Sequence, residues 1–439
     1  MTPDNQNFQD PDPRERESHV ALAPLVCPFC GLACDDLSPP RDIGDPRFAW
    51  GCAIAAEGYH AAIQAPADLQ PRLHGQPVAL AQALAHAAKR LQQSHLPFFA
   101  GLLGDLPESR ALWRLADRCG AAVDHAGGAA LSRMLSITQM QGLITTSLGE
   151  ARNRADLWLF IGAGIFHRQP RILERLLLAK ERLHTESTPR VMVLGSGAPG
   201  TLPRQAEYLD LGSFSVMDFI GGIRALMLGQ RLDTTLHPMT QGLVDRIQEA
   251  QYLVIALDPA DSGDSNSEGL IDLDLLGITR LIRQLNETGR AALLPMGAGD
   301  GLASFQQAGL WHNGFGLRTR HASGGPVYDP HGHDTTRMLL EGGADLVLWH
   351  ASLRPVPPPK TSLPTLVFGH PGLTFSQEPE LFVPLAVPGI HRNGQIHRGD
   401  GLTVLPLPAL LAGGVGDLAS GPTVYADLLS RILEEQIEC

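Results

Sequence analysis

Four cysteines near the start of the chain have the type and spacing of metal ligands. Cys27, Cys30, Cys34 and Cys52 follow the pattern C-x2-C-x3-C with a fourth cysteine further on, and they are four of the six cysteines present. Four thiolates spaced in this way suit an iron–sulfur cube, which they must reach from different sides, and Gly31 lets the backbone come close to a metal centre. Zinc is the main alternative, although structural zinc usually takes two C-x-x-C pairs and only one is present. The third interpretation is an empty relic whose cysteines pack as small hydrophobic residues.

Other short motifs support weaker interpretations. Gly195–Gly200 spells G-x-G-x-x-G after a predicted strand, but Pro199 disfavours the helix that a dinucleotide site needs there, so a strand-end turn is favoured. Pro330–Asp334 (PHGHD) offers two imidazoles and a carboxylate to a divalent metal. No further ligand is tied to it by spacing, so a solvated loop is favoured. Cys119 is interpreted as a buried filler and Cys439 as an exposed terminal residue.

Composition and charge restrict the class of protein. The chain has 439 residues, with 44% hydrophobic and 18% charged residues, which fits a globular protein of more than one domain. The net charge of −12 argues against nucleic acid and anionic membranes as partners. No run of about 18 apolar residues suggests a membrane span. The polar first 18 residues resemble neither a secretory nor a twin-arginine signal, so we expect a reducing, cytoplasmic location.

The elements that must position these residues alternate between strands and helices. Helical spacing of apolar residues covers 78–95, 108–119, 130–148, 171–183 and 270–288. Apolar runs typical of buried strands cover 97–103, 121–124, 156–164, 190–194, 252–259, 292–297, 345–352 and 365–371. This alternation predicts βαβ units with parallel sheets. We predict an α/β protein with a disordered tail over 1–20, a cysteine-rich segment over 21–75 and two interleaved α/β domains over 76–439.

Three blocks of sequence resemble the B-type subunit of formylmethanofuran dehydrogenase, which is the tungsten or molybdenum pterin subunit of methanogenic archaea. The first is the opener CPFCGLACDD with Cys52 downstream, and the second runs from Leu310 through GGPVYDPHGHD. The third is the closing stretch from Val387 to Gly401, which is similar to G-I-x-x-x-G-x-x-x-R-x-D-G. The resemblance implies the fold of the large molybdopterin oxidoreductases, in which a small cluster segment precedes two α/β domains that grip two pterin dinucleotides.

The departures from that family concern its redox site. By alignment, Ala130 and Leu131 stand where the family has the cysteine that ligates tungsten or molybdenum and the histidine beside it. Val327 replaces the arginine that would steady a negatively charged one-carbon substrate. A pterin–metal centre without its thiolate loses its fixed bond to the protein. We therefore expect no molybdenum or tungsten pterin and no catalytic residue at these positions.

A class of relatives with this loss indicates the function. The chain resembles the B-type subunit of the formyltransferase/hydrolase complex of aerobic methylotrophic bacteria, which handles formyl groups on tetrahydromethanopterin and methanofuran-like carriers. The resemblance implies a non-redox, structural subunit that assembles with partners of the A, C and D types, while the chemistry belongs to those partners. The alternative is an active molybdenum or tungsten formylmethanofuran dehydrogenase subunit with altered ligation. A zinc-binding interaction protein remains a further interpretation.

Overall fold

The computed structural model describes residues 24–40, 43, 45, 48, 50–66, 69–178, 182–183, 188–197, 202, 204–232, 237–258, 268–411 and 418–434. The predicted tail over 1–20 lies outside these residues, as does Cys439. The described helices are α1 Ala53–Ile63, α2 Leu80–Gln93, α3 Leu106–Cys119, α4 Gly128–Gln141, α5 Leu148–Arg154, α6 Ile165–Arg168, α7 Val216–Met227, α8 His237–Glu249, α9 Glu268–Leu285, α10 Leu302–Asn313, α11 Thr335–Leu340 and α12 Gly421–Glu434. None of them combines the length and apolar composition that crossing a bilayer requires.

The strands build a nine-stranded sheet, a five-stranded sheet and a hairpin. They are β1 Arg72–Leu73, β2 Gln76–Pro77, β3 Pro97–Leu103, β4 Ala122–Val123, β5 Leu157–Ile161, β6 Arg190–Gly195, β7 Ala206–Asp210, β8 Leu253–Leu257, β9 Ala291–Pro295, β10 Thr319–Ala322, β11 Gly325–Tyr328, β12 Leu346–Ala351, β13 Thr365–Gly369, β14 Leu381–Pro384, β15 Gly394–His397 and β16 Val404–Leu407. The prediction of an α/β protein with parallel sheets is confirmed.

The nine-stranded sheet has the order β11-β10-β4-β3-β12-β13-β14-β1-β2. Its central strands, from β4 to β14, run parallel. The outer strands β10, β11, β1 and β2 pair antiparallel, which the sequence did not indicate. One apolar cluster lies between this sheet and helices α2, α3, α10 and α12, and a second one covers the other face. The parallel strands are therefore buried on both faces, as their continuous apolar sequences predicted.

The five-stranded sheet is wholly parallel, with the order β7-β6-β5-β8-β9. Alternate residues of β5 separate its two faces, since Trp158 and Phe160 belong to one core cluster and Leu157 and Leu159 to another. Helices α7, α8 and α9 cover the second face. The cysteine-rich segment and α1 contribute to the cluster on the first face, so this segment is part of the folded core.

Two predicted helices are wrong in extent. The helix expected over 130–148 is α4, which ends at Gln141 because Gly142 follows with φ +69°, and α5 begins separately at Leu148. The helix expected over 171–183 is, among the described residues, a single π-helical turn over Leu173–Leu177. In both segments the helical spacing of apolar residues continues past the end of the helix. Spacing alone therefore does not show where the helix ends.

Candidate metal centre

Three of the four cysteines lie on one tight hairpin. Leu25 and Leu37 pair across its base, and the Cys27 N–H donates to the Cys34 carbonyl at 2.8 Å. Ala33, with φ +43°, turns the chain back between the second and third cysteines. The backbone therefore holds Cys27, Cys30 and Cys34 around one loop, as their close spacing predicts.

Cys52 reaches the same place from a different element. It is the N-cap of α1, and its Sγ accepts a hydrogen bond from the Ala55 N–H at 3.5 Å. The ring of Trp50, just before it, stacks on Tyr59 of α1 at 4.1 Å between centroids. Cys52 therefore presents its sulfur at the amino end of α1, on a different element from the other three cysteines.

All four cysteines line one cavity, together with Leu32, Leu37, Trp50, Ile54, Ala55, Pro170 and Arg171. No three of their sulfur atoms, all of which belong to described residues, lie within 4.8 Å of one another. A tetrahedral zinc ion with bonds of about 2.3 Å would bring its sulfur ligands to about 3.8 Å from each other. A four-iron cube needs a wider spacing because each thiolate binds a different iron. No three of the sulfur atoms are therefore as close together as a tetrahedral zinc ion would hold them, although all four cysteines line the same cavity.

Burial raises the pKa of three of these thiols, those of Cys27, Cys30 and Cys34. It raises the pKa of Cys30 to about 12 and that of Cys34 to about 11, and it raises the pKa of Cys27 well above its usual value. Arg171 opposes this effect on the pKa of Cys34. Without a metal these thiols are neutral at pH 7, so a bound metal or cluster must displace their protons and thereby stabilise the fold.

The cysteine hairpin lies over the carboxyl ends of the five-stranded sheet. A side chain at Gly31 would meet the Gln169 amide at 3.2 Å and the backbone of Ala298 at 3.4 Å. Strand order reverses between β5 and β8 in this sheet, and the crevice at such a point is where open α/β sheets bind ligands. The Gly399 N–H also donates to the Gly31 carbonyl at 2.8 Å. The hairpin therefore covers this crevice.

An ion-pair network fixes the outer side of the hairpin. The Arg171 guanidinium donates to both carboxylate oxygens of Asp36 at 2.8 and 2.7 Å. Arg175 contacts the same carboxylate at 2.7 Å and also pairs with Asp35. The pKa of Asp36 is lowered, because its hydrogen bonds with Arg171 and the charge of Arg175 outweigh the effect of its burial. Two acidic residues beside the third cysteine thus anchor the hairpin to the chain after α6.

The three positions that depart from the redox family offer no ligand. Ala130 is half-buried in the first turn of α4, and Leu131 packs against the apolar core between the nine-stranded sheet and its helices. Val327 lies on the edge strand β11 with 49% of its surface exposed. None of these side chains can bind a metal or transfer a proton. The assignment of a cysteine, a histidine and an arginine to these positions in the redox family rests on resemblance and stays a prediction.

Sequence reasoning missed a buried polar cluster beside α4. Arg318, which has φ +59°, donates to Asp334 at 2.6 Å and lies 3.4 Å from Asp124. Burial raises the pKa of Asp124 to about 6, although Arg318 opposes the effect, and Thr335 donates to the same carboxylate. Arg318, which lines a small cavity together with Leu131, is therefore held by two carboxylates of the chain itself.

A second buried cluster, also missed, fills the corresponding crevice of the nine-stranded sheet. Strand order reverses there between β3 and β12. Arg392 forms a bidentate pair with Asp105 at 2.9 and 3.0 Å and contacts Glu108 at 2.8 Å. Glu108 also accepts from Ser352 at 2.6 Å and lies 3.3 Å from His350. The crevice in which such a sheet usually binds a ligand is therefore occupied by side chains, which we call the Arg392 cluster.

The weaker motifs have structural partners. Gly195 ends β6, and the Gly197 N–H donates to Asp210 at 3.1 Å, while Ala198–Gly200 lies outside the described residues. His333 contacts the Arg318 carbonyl, and its loop leads into α11. Cys119 is a partly buried free thiol that packs on the core.

Comparison with known proteins identifies the family. No protein-family model matches the chain. The chain is 30% identical over 278 residues to the B-type subunit of the formyltransferase/hydrolase complex Fhc of Methylorubrum extorquens, and the match covers 63% of this chain and 73% of that one. The chain belongs to the family of this Fhc subunit.

More distant relatives and a solved structure agree with this family. The B-type subunit of tungsten-containing formylmethanofuran dehydrogenase 2 of Methanocaldococcus jannaschii is 22% identical over 406 residues, 87% of this chain and 92% of its own. The Methanococcus maripaludis protein of the same name is 21% identical over 408 residues, with the same coverage of both chains. A chain in the crystal structure of the Methylorubrum extorquens complex FhcABCD with methylofuran has a TM-score of 0.71 at 24% identity, covering 84% of this chain and 99% of that one. This last likeness establishes a shared fold.

Proposed function

We propose that this chain is the non-redox, structural B-type subunit of a formyltransferase/hydrolase complex. The complex would act in one-carbon metabolism linked to tetrahydromethanopterin and methanofuran-type carriers, on the path from formaldehyde to formate. The proposal is carried by Ala130 and Leu131, which by the resemblance stand at the positions of the redox family's thiolate and histidine. A half-buried methyl group and a packed leucine side chain supply neither a metal bond nor a proton.

The contacts of two buried arginines also support a non-redox subunit. Arg318 is held by Asp124 and Asp334, so it is not available to steady a negatively charged substrate in place of the residue at Val327. The Arg392 cluster occupies the crevice of the nine-stranded sheet. Together these contacts leave neither Arg318 nor Arg392 free to bind a negatively charged substrate.

We further propose that Cys27, Cys30, Cys34 and Cys52 hold a [4Fe–4S] cluster with a structural role. Their shared cavity supports a common ligand, and the pattern C-x2-C-x3-C with only one C-x-x-C pair favours a cluster over zinc. When bound, the cluster would supply four iron–thiolate bonds that tie the hairpin to the start of α1. The chain's own residues keep this region in place through Arg171 and the aromatic stack on Tyr59.

Fold and assembly complete the proposal. We assign the chain the molybdopterin-oxidoreductase-like arrangement of a cysteine segment over 21–75 and two interleaved domains over 76–439, because the five-stranded sheet lies within the chain segment between β4 and β10. We propose a cytoplasmic complex with partners of the A, C and D types. Exposed apolar side chains support such partners: Trp311 is 57% exposed and contacts His397, whose cross-strand neighbour Val404 is 41% exposed.

Reconstitution of the complex tests the proposal. The chain is coexpressed with A-, C- and D-type partners, and formate release from a formyl carrier is measured for the full complex, for the chain alone and for the complex without the chain. We expect activity in the full complex, none from the chain alone and poor recovery of the assembly without it. Formate release by the chain alone would contradict the proposal, because it would place a hydrolytic site in this chain. Oxidation of the formyl carrier to carbon dioxide with reduction of an added electron acceptor would instead favour an active dehydrogenase-type subunit.

Cysteine variants test the structural role of the cluster. Cys34→Ala removes one proposed ligand, whereas Cys119→Ala removes a thiol of α3 outside the cavity and serves as the matched control. Only the first change should release iron and acid-labile sulfide and expose the hairpin to protease, without altering turnover per intact complex. Loss of turnover in a complex that remains intact would show that the cluster takes part in the reaction.

A further inference from the structure

Two histidines and an aspartate meet on the outer side of the nine-stranded sheet, away from the cysteine cavity. Asp117 lies in the last turn of α3, His312 near the end of α10 and His321 on β10. The Asp117 carboxylate lies 2.7 Å from His321 Nδ1 through one oxygen and 3.3 Å from His312 Nε2 through the other. One potential ligand atom from each residue lies within 4.8 Å of the other two, and among the described residues this is the sole such group of three.

The chemistry of these donors suits a first-row divalent metal. Two imidazoles and one carboxylate are the ligand set that zinc and its neighbours accept, and they leave coordination positions open for water. The donor separation of 3.3 Å between Asp117 and His312 matches the roughly 3.3 Å expected between ligands of a tetrahedral ion bound at about 2.0 Å. The separation of 2.7 Å between Asp117 and His321 requires the carboxylate to move by a few tenths of an ångström.

Electrostatics and access favour a cation at the same place. The carboxyl ends of α3 and α10 both point toward it, with caps at Gly120 and Gly314, and helix carboxyl ends attract positive charge. The side chains of Asp117 and His312 are 52% and 27% exposed, so an ion can enter from solvent. His321, at 8%, forms the buried floor.

The neighbouring Asn313 determines which ring nitrogen of His321 carries the proton. Its Oδ1 accepts from the N–H groups of Phe315 and Gly316 at 2.7 and 3.0 Å, so its amide nitrogen must face His321 Nε2, at 3.4 Å. His321 therefore carries its proton on Nδ1, between the ring and Asp117. When a metal binds Nδ1, the ring stays neutral by carrying its proton on Nε2 instead. This proton then faces the Asn313 amide nitrogen, which is also a donor and must move aside.

We propose that Asp117, His312 and His321 form a binding site for a divalent transition metal of the zinc class. The site is separate from the four cysteines in ligand type and in position. Its role is to tie the ends of α3 and α10 to strand β10, which carries the edge of the nine-stranded sheet.

Cobalt titration of the full-length protein, with its cysteine site already loaded, tests the proposal. Co²⁺ bound to nitrogen and oxygen shows weak visible bands without the intense sulfur-to-metal absorption of a thiolate site, so the two sites are distinguished. We expect one such ion per chain, displaced by Zn²⁺. His312→Ala and Asp117→Asn should each weaken binding at least about 10-fold, and the exposed loop variant His331→Ala should bind as the wild type does.

A gain-of-function variant keeps the test independent of folding. Asn313→Asp retains an oxygen for the two backbone donors and offers the second oxygen to a proton on His321 Nε2. Since a carboxylate behind a ligating histidine strengthens metal binding about 10- to 100-fold, this variant should bind Co²⁺ more tightly. Binding that is unchanged in all three site variants, or no saturable binding by the wild type, would overturn the proposal.

Discussion

The packing of α1 against the cysteine hairpin makes opposite predictions for two similar substitutions. A methyl group on Gly58, inside α1, would lie 2.6 Å from three ring atoms of Phe29. This ring is 2% exposed and packs edge-on against Tyr59, so it cannot move aside without disturbing the residues beside Cys30. Gly221, inside α7, has no atom within 4 Å of the equivalent methyl position.

The two effects can be separated in magnitude. Alanine in place of glycine inside a helix stabilises it by about 1 kcal/mol, and this gain applies to both sites. Overpacking at a filled position costs about 1–3 kcal/mol, and this cost applies only at Gly58. We expect Gly221→Ala to stabilise its helix by ~1 kcal/mol, while Gly58→Ala destabilises α1 by up to ~2 kcal/mol.

Hydrogen exchange measured by mass spectrometry reports the local free energy of opening for each helix. Peptides covering Ala53–Ile63 should exchange faster in Gly58→Ala, whereas those covering Val216–Met227 should exchange more slowly in Gly221→Ala. Slower exchange in both variants would refute the packing of Phe29 against α1, and with it the position of the hairpin that carries three of the cysteines.

Three further predictions concern buried polar groups and backbone. Arg392→Met leaves the carboxylates of Asp105 and Glu108 buried without their cation, so urea unfolding should show a loss of about 3–5 kcal/mol. Burial lowers the pKa of His370 to about 3. The unfolded chain takes up a proton on this histidine near pH 6.5, so the free energy of unfolding should be at its full value above pH 6.5 and fall by about 2 kcal/mol by pH 5. His370→Asn should reduce this loss. Gly301→Ala, at φ +85° with its methyl group 1.9 Å from a backbone oxygen, should cost about 3 kcal/mol or more in thermal unfolding experiments, and an unchanged Tm would contradict this conformation.

Strands that are buried on both faces could be predicted from the sequence, whereas the strands at the edges of the nine-stranded sheet could not. The apolar run of β3 has the predicted bounds, Pro97–Leu103, because every residue in it is buried. The hairpin of β10 and β11 was missed, since its residues are mostly polar or glycine and only two of the eight are buried. Its position depends on pairing with β4, nearly 200 residues earlier in the chain.

The candidate sites follow the same rule. The four cysteines were found because three of them lie within one loop and share an uncommon residue type. The Arg392 cluster joins side chains separated by up to 287 residues in sequence, so no local spacing predicts it. The same holds for Asp117 and His321, which meet only because α3 and β10 pack together.

The central claim is that this protein holds no molybdenum or tungsten pterin, and elemental analysis of the intact complex tests it most directly. The complex is purified anaerobically from cells supplied with molybdate and tungstate, and iron, molybdenum and tungsten are measured per copy of this chain. We predict about four iron atoms from one cluster and no stoichiometric molybdenum or tungsten, since Ala130 supplies no thiolate. About one atom of molybdenum or tungsten per chain, together with pterin, would contradict the claim and identify an active dehydrogenase with different ligands.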